Sequence, residues 1–239
     1  MSTPKVSVVI ATIRPKLWDR LLVSLKQNSV PFEVLFLGVR KPDGLKLSDN
    51  VRVIECYHTV PKCYAIGFRE AKSDILHWAS DDVEYAPNSI DAVYDFYSKT
   101  DDDKIAATFR EFEKRTGEET THTHTMMRTY KVGSRLLAPW GIIRKSFYNR
   151  IGGVDRRFIG TEWENDLSLR IYEKDGYITT IKNAILYTSH EETHGEMSHI
   201  KYTLGDGVEL MRQLYFKDNH FVNRTSDVRS YVNEELCQA

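Results

Sequence analysis

The chain has 239 residues, 41% of them hydrophobic, which is enough for one domain with a substantial core. Its formal net charge of −1 gives no basic footprint, so a nucleic-acid partner is not indicated. No apolar run approaches the ~20 residues of a transmembrane helix, and no signal-peptide pattern is present. Three cysteines without a CxxC pair indicate neither a disulfide framework nor a zinc knuckle. We therefore expect a cytoplasmic globular protein.

The first ~100 residues alternate strand and helix patterns. The β-branched run at 5–11 predicts a strand buried on both faces, and a helix with leucines on one face follows Pro15. Further strands are predicted at 32–37, 51–56, 75–79 and 104–109, and further helices at 62–71 and 89–97. Alternating elements with short connections imply an α/β fold with a doubly wound, mostly parallel sheet flanked by helices.

The second half of the chain contains one long irregular segment. Residues 111–131 are charged and threonine-rich and predict a surface loop or hairpin, a kind of segment that is often functional in compact domains. Beyond it, a helical turn is predicted at 146–150, a helix at 163–174, a strand region at 177–188, a helix at 208–216 and another helix in the last ~20 residues. We interpret residues 1–195 as one domain and residues 196–239 as a C-terminal helical extension packed on it.

Two adjacent carboxylates, Asp81 and Asp82, follow the buried strand pattern at 75–79. Open α/β sheets bind ligands beyond the carboxyl ends of their strands. Carboxylates at such a position suit a hard divalent cation that binds together with a diphosphate. An acidic turn before the next helix is the alternative interpretation.

The order of four short motifs resembles family 2 of the inverting glycosyltransferases, which have a GT-A fold. These motifs are Val-Ser-Val-Val-Ile-Ala-Thr, Ser-Asp-Asp-Val, Ile-Gly-Gly-Val-Asp and Glu-Asn-Asp-Leu-Ser-Leu-Arg. The resemblance covers roughly residues 5 to 190. It implies a GT-A-like (Rossmann-like) sheet and transfer of a sugar from a UDP- or GDP-type nucleotide sugar to a hydroxyl of a glycan or other acceptor, assisted by Mn²⁺ or Mg²⁺.

By this resemblance, Asp82 is a metal ligand and Glu164 is the general base. A carboxylate within ~3 Å of the acceptor hydroxyl can take its proton, and a divalent cation neutralises charge on the leaving diphosphate. We expect Glu164 to stay ionised because a helix dipole favours negative charge near its N-terminus. His190, after the last core strand, is the candidate that completes the metal site, with His194 as second choice.

Further candidates lie just beyond strands or at the start of a helix. The side chains interpreted as contacts for the diphosphate or the base are those of Thr12, Arg14, Lys62, Tyr64 and Asp81. Trp140 can pack against a sugar face or in the core. Asp166 and Arg170 are interpreted as an i, i+4 ion pair.

Two positions depart from the family pattern. Ser80 replaces the first aspartate of the metal motif. No aspartate follows the strand that ends at Gly38, where family members usually read the nucleotide base. These departures keep open a non-catalytic domain that binds sugar nucleotides.

The run from His190 to His194 also spells HExxH, the signature of zinc metallopeptidases. That chemistry requires both histidines on one face of a helix. The run follows a strand pattern and precedes Gly195, and nothing there predicts a helix, so a peptidase is the less favoured alternative. His122 and His124 are interpreted as solvated loop histidines.

Overall fold

The computed structural model describes residues 3–123, 125, 135–189, 200–217 and 220–221. The strands are β1 Val6–Thr12, β2 Phe32–Gly38, β3 Val51–Glu55, β4 Ile75–Ala79, β5 Val83–Tyr85, β6 Ile105–Glu113, β7 Gly141–Arg144, β8 Tyr177–Thr188, β9 Phe216–Lys217 and β10 His220–Phe221. The helices are α1 Trp18–Leu25, α2 Val60–Glu70, α3 Ser89–Lys99, α4 Lys145–Arg150, α5 Trp163–Glu173 and α6 Ile200–Tyr215, with short 3-10 helices at Pro15–Leu17 and Thr121–Thr123.

Strands β1 to β8 form one sheet in the order β3-β2-β1-β4-β7-β6-β8-β5. Strands β3, β2, β1 and β4 run parallel, as the alternating pattern predicted, and β6 runs parallel to β8. Strand β7 lies antiparallel between β4 and β6, and β5 is antiparallel to β8. The α/β prediction is confirmed. Strands β5 and β7 were not predicted.

Successive residues of β1 enter two different hydrophobic cores. Val8 and Ile10 pack in the cluster that contains Trp18 of α1, whereas Val9 packs in the cluster that contains Phe68 of α2. Side chains alternate between the two faces of a strand, so a strand covered on both faces needs an apolar residue at every position. The residues from Val6 to Ala11 meet this requirement except Ser7, whose buried hydroxyl donates to Glu33 Oε1.

The predicted loop or hairpin at 111–131 begins inside the sheet. Residues 111–113 belong to β6, and Phe112 forms an antiparallel bridge with Glu119. The hairpin interpretation is thus confirmed for this first part. Residues 124 and 126–134, with the histidine at 124, lie outside the described residues.

Helix α6 packs on α5 through a shared core. The buried side chains of Met211 and Leu214 belong to the same cluster as Leu167 and Ile171. The helix predicted at 208–216 overlaps the C-terminal half of α6, which begins earlier, at Ile200, and ends one residue earlier, at Tyr215. Of the last ~20 residues, for which a further helix is predicted, 222–239 lie outside the described part of the chain. Across the described ranges, no helix combines the length and apolar character needed to cross a bilayer.

Candidate active site

The carboxyl ends of β1, β2 and β4 open onto one cavity of about 530 Å³. Its wall also includes the β3–α2 connection and the loop before α5. The predicted residues that line it are Thr12, Arg14, Tyr64, Asp81, Asp82 and Trp140. The structure therefore brings together residues from distant parts of the chain at the predicted edge of the sheet. A cavity of about 560 Å³ beside Glu33 and Arg52, at the amino ends of the strands, is lined by none of them.

Arg14 bridges the two aspartates of the acidic turn. Its Nε donates to Asp81 Oδ2 at 3.3 Å, and its Nη2 donates to Asp81 Oδ1 and, at 3.1 Å, to Asp82 Oδ2. Asp81 is buried and also accepts a hydrogen bond from the Thr12 hydroxyl. Burial raises the pKa of Asp81, while its bonds to Arg14 and Thr12 act in the opposite direction. The guanidinium is thus the counter-charge of both carboxylates.

The oxygen donors at this turn fit a hard divalent cation. The Asp82 side chain is 16% exposed and lies at the cavity, next to the Ser80 hydroxyl that donates to it. Mg²⁺ is usually held by one or two carboxylates together with substrate phosphates. In the described ranges, no three His, Cys, Asp or Glu side chains are arranged to hold a metal by themselves. The donor set therefore suits a cation that binds with a diphosphate. His190 and His194 lie outside the described residues.

Tyr64 lies among three carboxylates. Burial raises the pKa of its hydroxyl, and the charges of Glu164, Asp81 and Asp82 raise it further. Glu164 does not line the cavity, but its charge and the charges of the acidic turn act on the same Tyr64 hydroxyl. The Tyr64 hydroxyl donates to the backbone oxygen of Ala79 at 2.5 Å, so the side chain shapes the cavity wall and its donor is already used.

Glu164 lies in the first turn of α5. Its Oε2 is inaccessible to solvent and has no hydrogen-bond partner. Burial raises the pKa of this carboxyl to about 8, and the charge of Glu162 contributes to the rise. The expectation that the helix dipole keeps Glu164 ionised is therefore wrong for this structure, because loss of water outweighs a dipole effect of about 1 kcal/mol.

The backbone that leads into α5 has an uncommon conformation. Glu162 has φ 71° and ψ −9°, in the left-handed region that side chains with a Cβ rarely adopt. Such a conformation persists only where the surrounding structure holds it. Trp163 packs against Tyr64 with 4.5 Å between ring centroids, and Gly160 and Thr161 line the cavity. The packing of Trp163 against Tyr64 thus helps to hold the turn that leads to the candidate base.

Polar atoms without partners concentrate around the cavity. Within the described residues, the buried atoms Arg14 Nη1, Thr59 Oγ1, Trp140 Nε1 and Thr161 Oγ1 have no hydrogen-bond partner, and all four residues line the cavity. A buried polar group left unpaired costs about 1–3 kcal/mol. Sequence reasoning missed Thr59 and Thr161. Thr59 lies beyond the carboxyl end of β3, as Asp81 lies beyond that of β4. Since open α/β sheets bind ligands there, the position of Thr59 in the sequence could have identified it.

The backbone geometry at the end of β2 explains why Gly38, and not an aspartate, ends this strand. Gly38 has φ 136°, and a Cβ at this position would lie 2.1 Å from the backbone oxygen of Thr12. A larger residue therefore does not fit where the two strands approach. The neighbouring Leu37 and Val39 give this end of the cavity an apolar lining. Lys62, by contrast, is exposed on α2 and is not part of the cavity wall.

The interpretation of Asp166 and Arg170 as an ion pair is confirmed. Asp166 Oδ2 accepts hydrogen bonds from Arg170 Nε at 2.9 Å and from Nη2 at 2.7 Å. Both side chains are buried. The pair lies inside the fold and does not line the cavity, so its role is structural.

Neither a protein-family model nor a curated protein matches the sequence. Among solved structures, TarS of S. aureus aligns with a TM-score of 0.61 at 15% identity, covering 77% of this chain and 36% of TarS. TarS 1–349 aligns with a TM-score of 0.60 at 15% identity, covering 98% of this chain and 70% of that one. GalNAc-T7 with UDP, GalNAc and Mn²⁺ aligns with a TM-score of 0.63 at 14% identity, covering 91% of this chain and 49% of that one. The chain therefore has the GT-A-like fold of these glycosyltransferases and spans 36% of the length of TarS.

Proposed function

We propose that the chain is a metal-dependent, inverting glycosyltransferase, in which Glu164 is the general base. The observation that carries this proposal is the position of its unpartnered carboxyl oxygen near Tyr64, together with Asp81 and Asp82. The candidate proton acceptor and the candidate diphosphate site thus both act on Tyr64, which lines the cavity. Two structural neighbours, TarS 1–349 and GalNAc-T7, were solved with UDP, and the second also with GalNAc and Mn²⁺.

A nucleotide sugar matches the polar groups of the cavity. The apolar end beside Val39 accommodates the flat base, and the unpartnered hydroxyls of Thr59 and Thr161 supply hydrogen bonds to ribose or sugar. Arg14 supplies positive charge for the diphosphate. When bound, a divalent cation held by Asp82 would neutralise charge on the leaving diphosphate.

The environment of Glu164 suits proton transfer from an acceptor hydroxyl. A catalytic base is most effective when its pKa lies near the working pH, and burial raises the pKa of this carboxyl to about 8. Its Oε2, closed to solvent and without a hydrogen-bond partner, would be uncovered when the acceptor binds and would accept a hydrogen bond from the acceptor hydroxyl. The ionised carboxylate takes the proton as the acceptor oxygen attacks the anomeric carbon on the side opposite the diphosphate, which inverts the configuration. We place acceptor choice in the segment 111–131, whose first part forms the hairpin on β6.

A second candidate function, binding of a sugar nucleotide without transfer, is favoured by one specific contact. The Arg14 guanidinium already neutralises both Asp81 and Asp82. In that case a nucleotide binds without a metal and no product forms. The two candidates therefore differ in their dependence on a metal and in turnover.

The first experiment measures thermal unfolding against UDP, GDP, CDP, ADP and their common sugar conjugates, each with and without Mn²⁺. A ligand at ~100 times its dissociation constant stabilises the fold by about 2.7 kcal/mol. A shift that requires both one nucleotide and Mn²⁺ supports the transferase and identifies the base. A nucleotide shift that is independent of Mn²⁺ favours the second candidate, and no shift with any nucleotide contradicts both.

Turnover and stereochemistry are then measured on the donor that gives the largest shift. Water can act as a slow acceptor, so release of nucleoside diphosphate reports transfer without knowledge of the natural acceptor. Proton NMR of the released sugar, recorded before mutarotation, gives its anomeric configuration. An inverted anomer supports the proposed mechanism, whereas retention contradicts the role of Glu164 as general base.

A further inference from the structure

Two of the three cysteines meet in the wall of the cavity. Cys56 follows the end of β3, and Cys63 lies in the first turns of α2. Their sulfur atoms are 2.9 Å apart, with the Cys56 thiol donating to Cys63 Sγ. The Cys63 thiol in turn donates to the backbone oxygens of Cys56 and His58, each at 3.7 Å. Sequence reasoning did not pair them, because seven positions separate them and no CxxC spacing marks the pair.

The pair is both enclosed and reachable. Cys56 is 7% exposed and Cys63 is 4% exposed, and both line the same cavity as the acidic turn. A small reagent that enters the cavity therefore meets the two sulfur atoms. A disulfide bond of about 2.05 Å requires the sulfurs to approach by less than ~1 Å from their present separation.

We propose that Cys56 and Cys63 are a redox-active thiol pair, which a small disulfide converts to an intramolecular disulfide in the cavity wall. The thiolate of one cysteine attacks a sulfur of the reagent and forms a mixed disulfide, releasing one reagent thiol. The second cysteine then attacks the mixed disulfide and releases the other reagent thiol. Two electrons and two protons pass from the cysteines to the reagent, and an added dithiol reverses the reaction.

The hydrogen bond suggests which cysteine reacts first. The Cys63 thiol donates to two backbone oxygens, and once its hydrogen has left, the Cys56 thiol can donate to the Cys63 thiolate. Burial raises the pKa of the Cys56 thiol to about 12, so this group is a thiol and not a thiolate at neutral pH. We therefore assign the first attack to Cys63, and the reaction is slow at pH 7 and faster at higher pH.

Oxidation would join the two ends of a short segment of the cavity wall. Residues 57–62 connect the cysteines, and this segment includes Thr59, whose hydroxyl has no partner in the cavity. A covalent link between β3 and α2 restricts the motion of this segment in both the folded and unfolded chain. The redox state of the pair thus alters one wall of the cavity directly.

The test uses full-length protein with Cys237→Ser, so that the pair supplies every thiol. The reagent is bis(2-hydroxyethyl) disulfide, chosen because it is small enough to enter the cavity. We expect the two thiols that react with Ellman's reagent in denaturant to be lost, and the mass to fall by about 2 Da. Trypsin cuts after Arg52, Lys62 and Arg69, so the bond joins the otherwise separate peptides 53–62 and 63–69. The oxidised protein should also unfold a few degrees higher.

Two matched variants locate the first attack. Cys56→Ser in the same background should trap a mixed disulfide on Cys63, about 76 Da heavier, whereas Cys63→Ser should trap it far more slowly. Persistence of both thiols in the folded Cys237→Ser protein, or disulfide-linked dimers on a non-reducing gel, would overturn the proposal. A stable protein with a mixed disulfide on both Cys56 and Cys63 would also overturn the proposal, since it means that the two sulfurs cannot form a bond.

A final experiment tests whether a bound nucleotide shields Cys56 and Cys63 from the reagent. The nucleotide that stabilises the protein should slow formation of the disulfide several-fold, because it fills the cavity through which the reagent enters. This arm alone depends on the proposed function. Disulfide formation without added nucleotide tests the thiol pair by itself, so failure of nucleotide binding and failure of this inference give different results.

Discussion

The hydroxyl of Tyr215 donates a hydrogen bond of 2.8 Å to Asp166 Oδ1 and joins the last turn of α6 to α5. The other carboxylate oxygen of Asp166 accepts from Arg170, whose Nη1 also donates to the backbone oxygen of Ile151 at 2.7 Å. All of these side chains are buried. Helix α6 therefore helps to hold the helix that carries Glu164.

Substitution Tyr215→Phe removes one hydrogen bond to a buried carboxylate and keeps the ring. Hydrogen bonds to charged groups contribute about 1.5–3 kcal/mol, so we expect the free energy of unfolding to fall by that amount. Urea denaturation measures the change. The matched control is Tyr187→Phe, at an exposed position of β8, which should change stability by less than about 0.5 kcal/mol. Equal effects of the two substitutions would contradict the role of the Tyr215 hydroxyl.

Substitution Asp166→Asn should be more severe than Tyr215→Phe. The asparagine keeps the size of the side chain but leaves the Arg170 guanidinium buried without its counter-charge. Breaking a buried ion pair by removal of one partner costs about 3–5 kcal/mol. The same denaturation experiment tests this order, and an Asp166→Asn protein as stable as the wild type would refute it. Asp103→Asn, in an exposed pair with Arg150, is the control.

Substitution Glu164→Gln should abolish transfer while leaving donor affinity nearly unchanged, because only the proton acceptor is lost. General base catalysis contributes typically ~10²–10⁴-fold, so turnover should fall at least ~100-fold. Rates of nucleotide release and donor binding by calorimetry measure the two quantities. Glu70→Gln, at an exposed position at the end of α2 and outside the cavity wall, is the control. Wild-type turnover by the Glu164→Gln protein would show that another group accepts the proton.

The raised pKa of Glu164 predicts the dependence of activity on pH. At a pKa of about 8, only ~10% of the carboxyl is ionised at pH 7. The rate kcat/KM should rise about tenfold per pH unit below pH ~8 and level off above it. A flat profile between pH 6 and 9, with chemistry limiting, would contradict this assignment.

The same shift makes a prediction for stability, with a defined sign. The folded pKa of Glu164, about 8, lies above the unfolded value of about 4.3. Between these two pH values the folded state therefore binds more protons than the unfolded state. The stabilisation that this protonation provides is lost as pH rises through 8. We expect unfolding free energy to fall more between pH 5 and 8.5 for wild type than for Glu164→Gln. Equal losses in the two proteins would mean that the carboxyl is not buried as described.

Substitution Arg14→Gln tests whether this guanidinium occupies the position of a cation on the acidic turn. Without it, Asp81 and Asp82 repel each other, so the melting temperature should fall. Mn²⁺ alone should then restore several degrees in the variant and have little effect on wild type. Lys62→Gln, at an exposed position outside the cavity wall, should behave as wild type. If Mn²⁺ changes the melting temperature of Arg14→Gln and of wild type equally, the guanidinium does not occupy the position of a cation.

Local patterns were sufficient for most of the framework. The alternation of apolar runs predicted β1, β2, β3 and β4 and the helices between them, and the acidic turn was correctly assigned to a strand end. These features depend on the neighbours of each residue along the chain, which the sequence displays directly. Strand β5 was missed because its three residues are held by pairing with β8, a partner about a hundred positions away.

The chemical state of the site was decided by tertiary structure. The sequence by itself determined that Glu164 begins a helix and that Asp81 and Asp82 end a strand. Only the folded chain removes the Glu164 carboxyl from water, so its pKa rises against the effect of the helix dipole. Only the folded chain brings Cys56 onto Cys63. Desolvation and contact depend on atoms supplied by distant segments, and no local pattern carries that information.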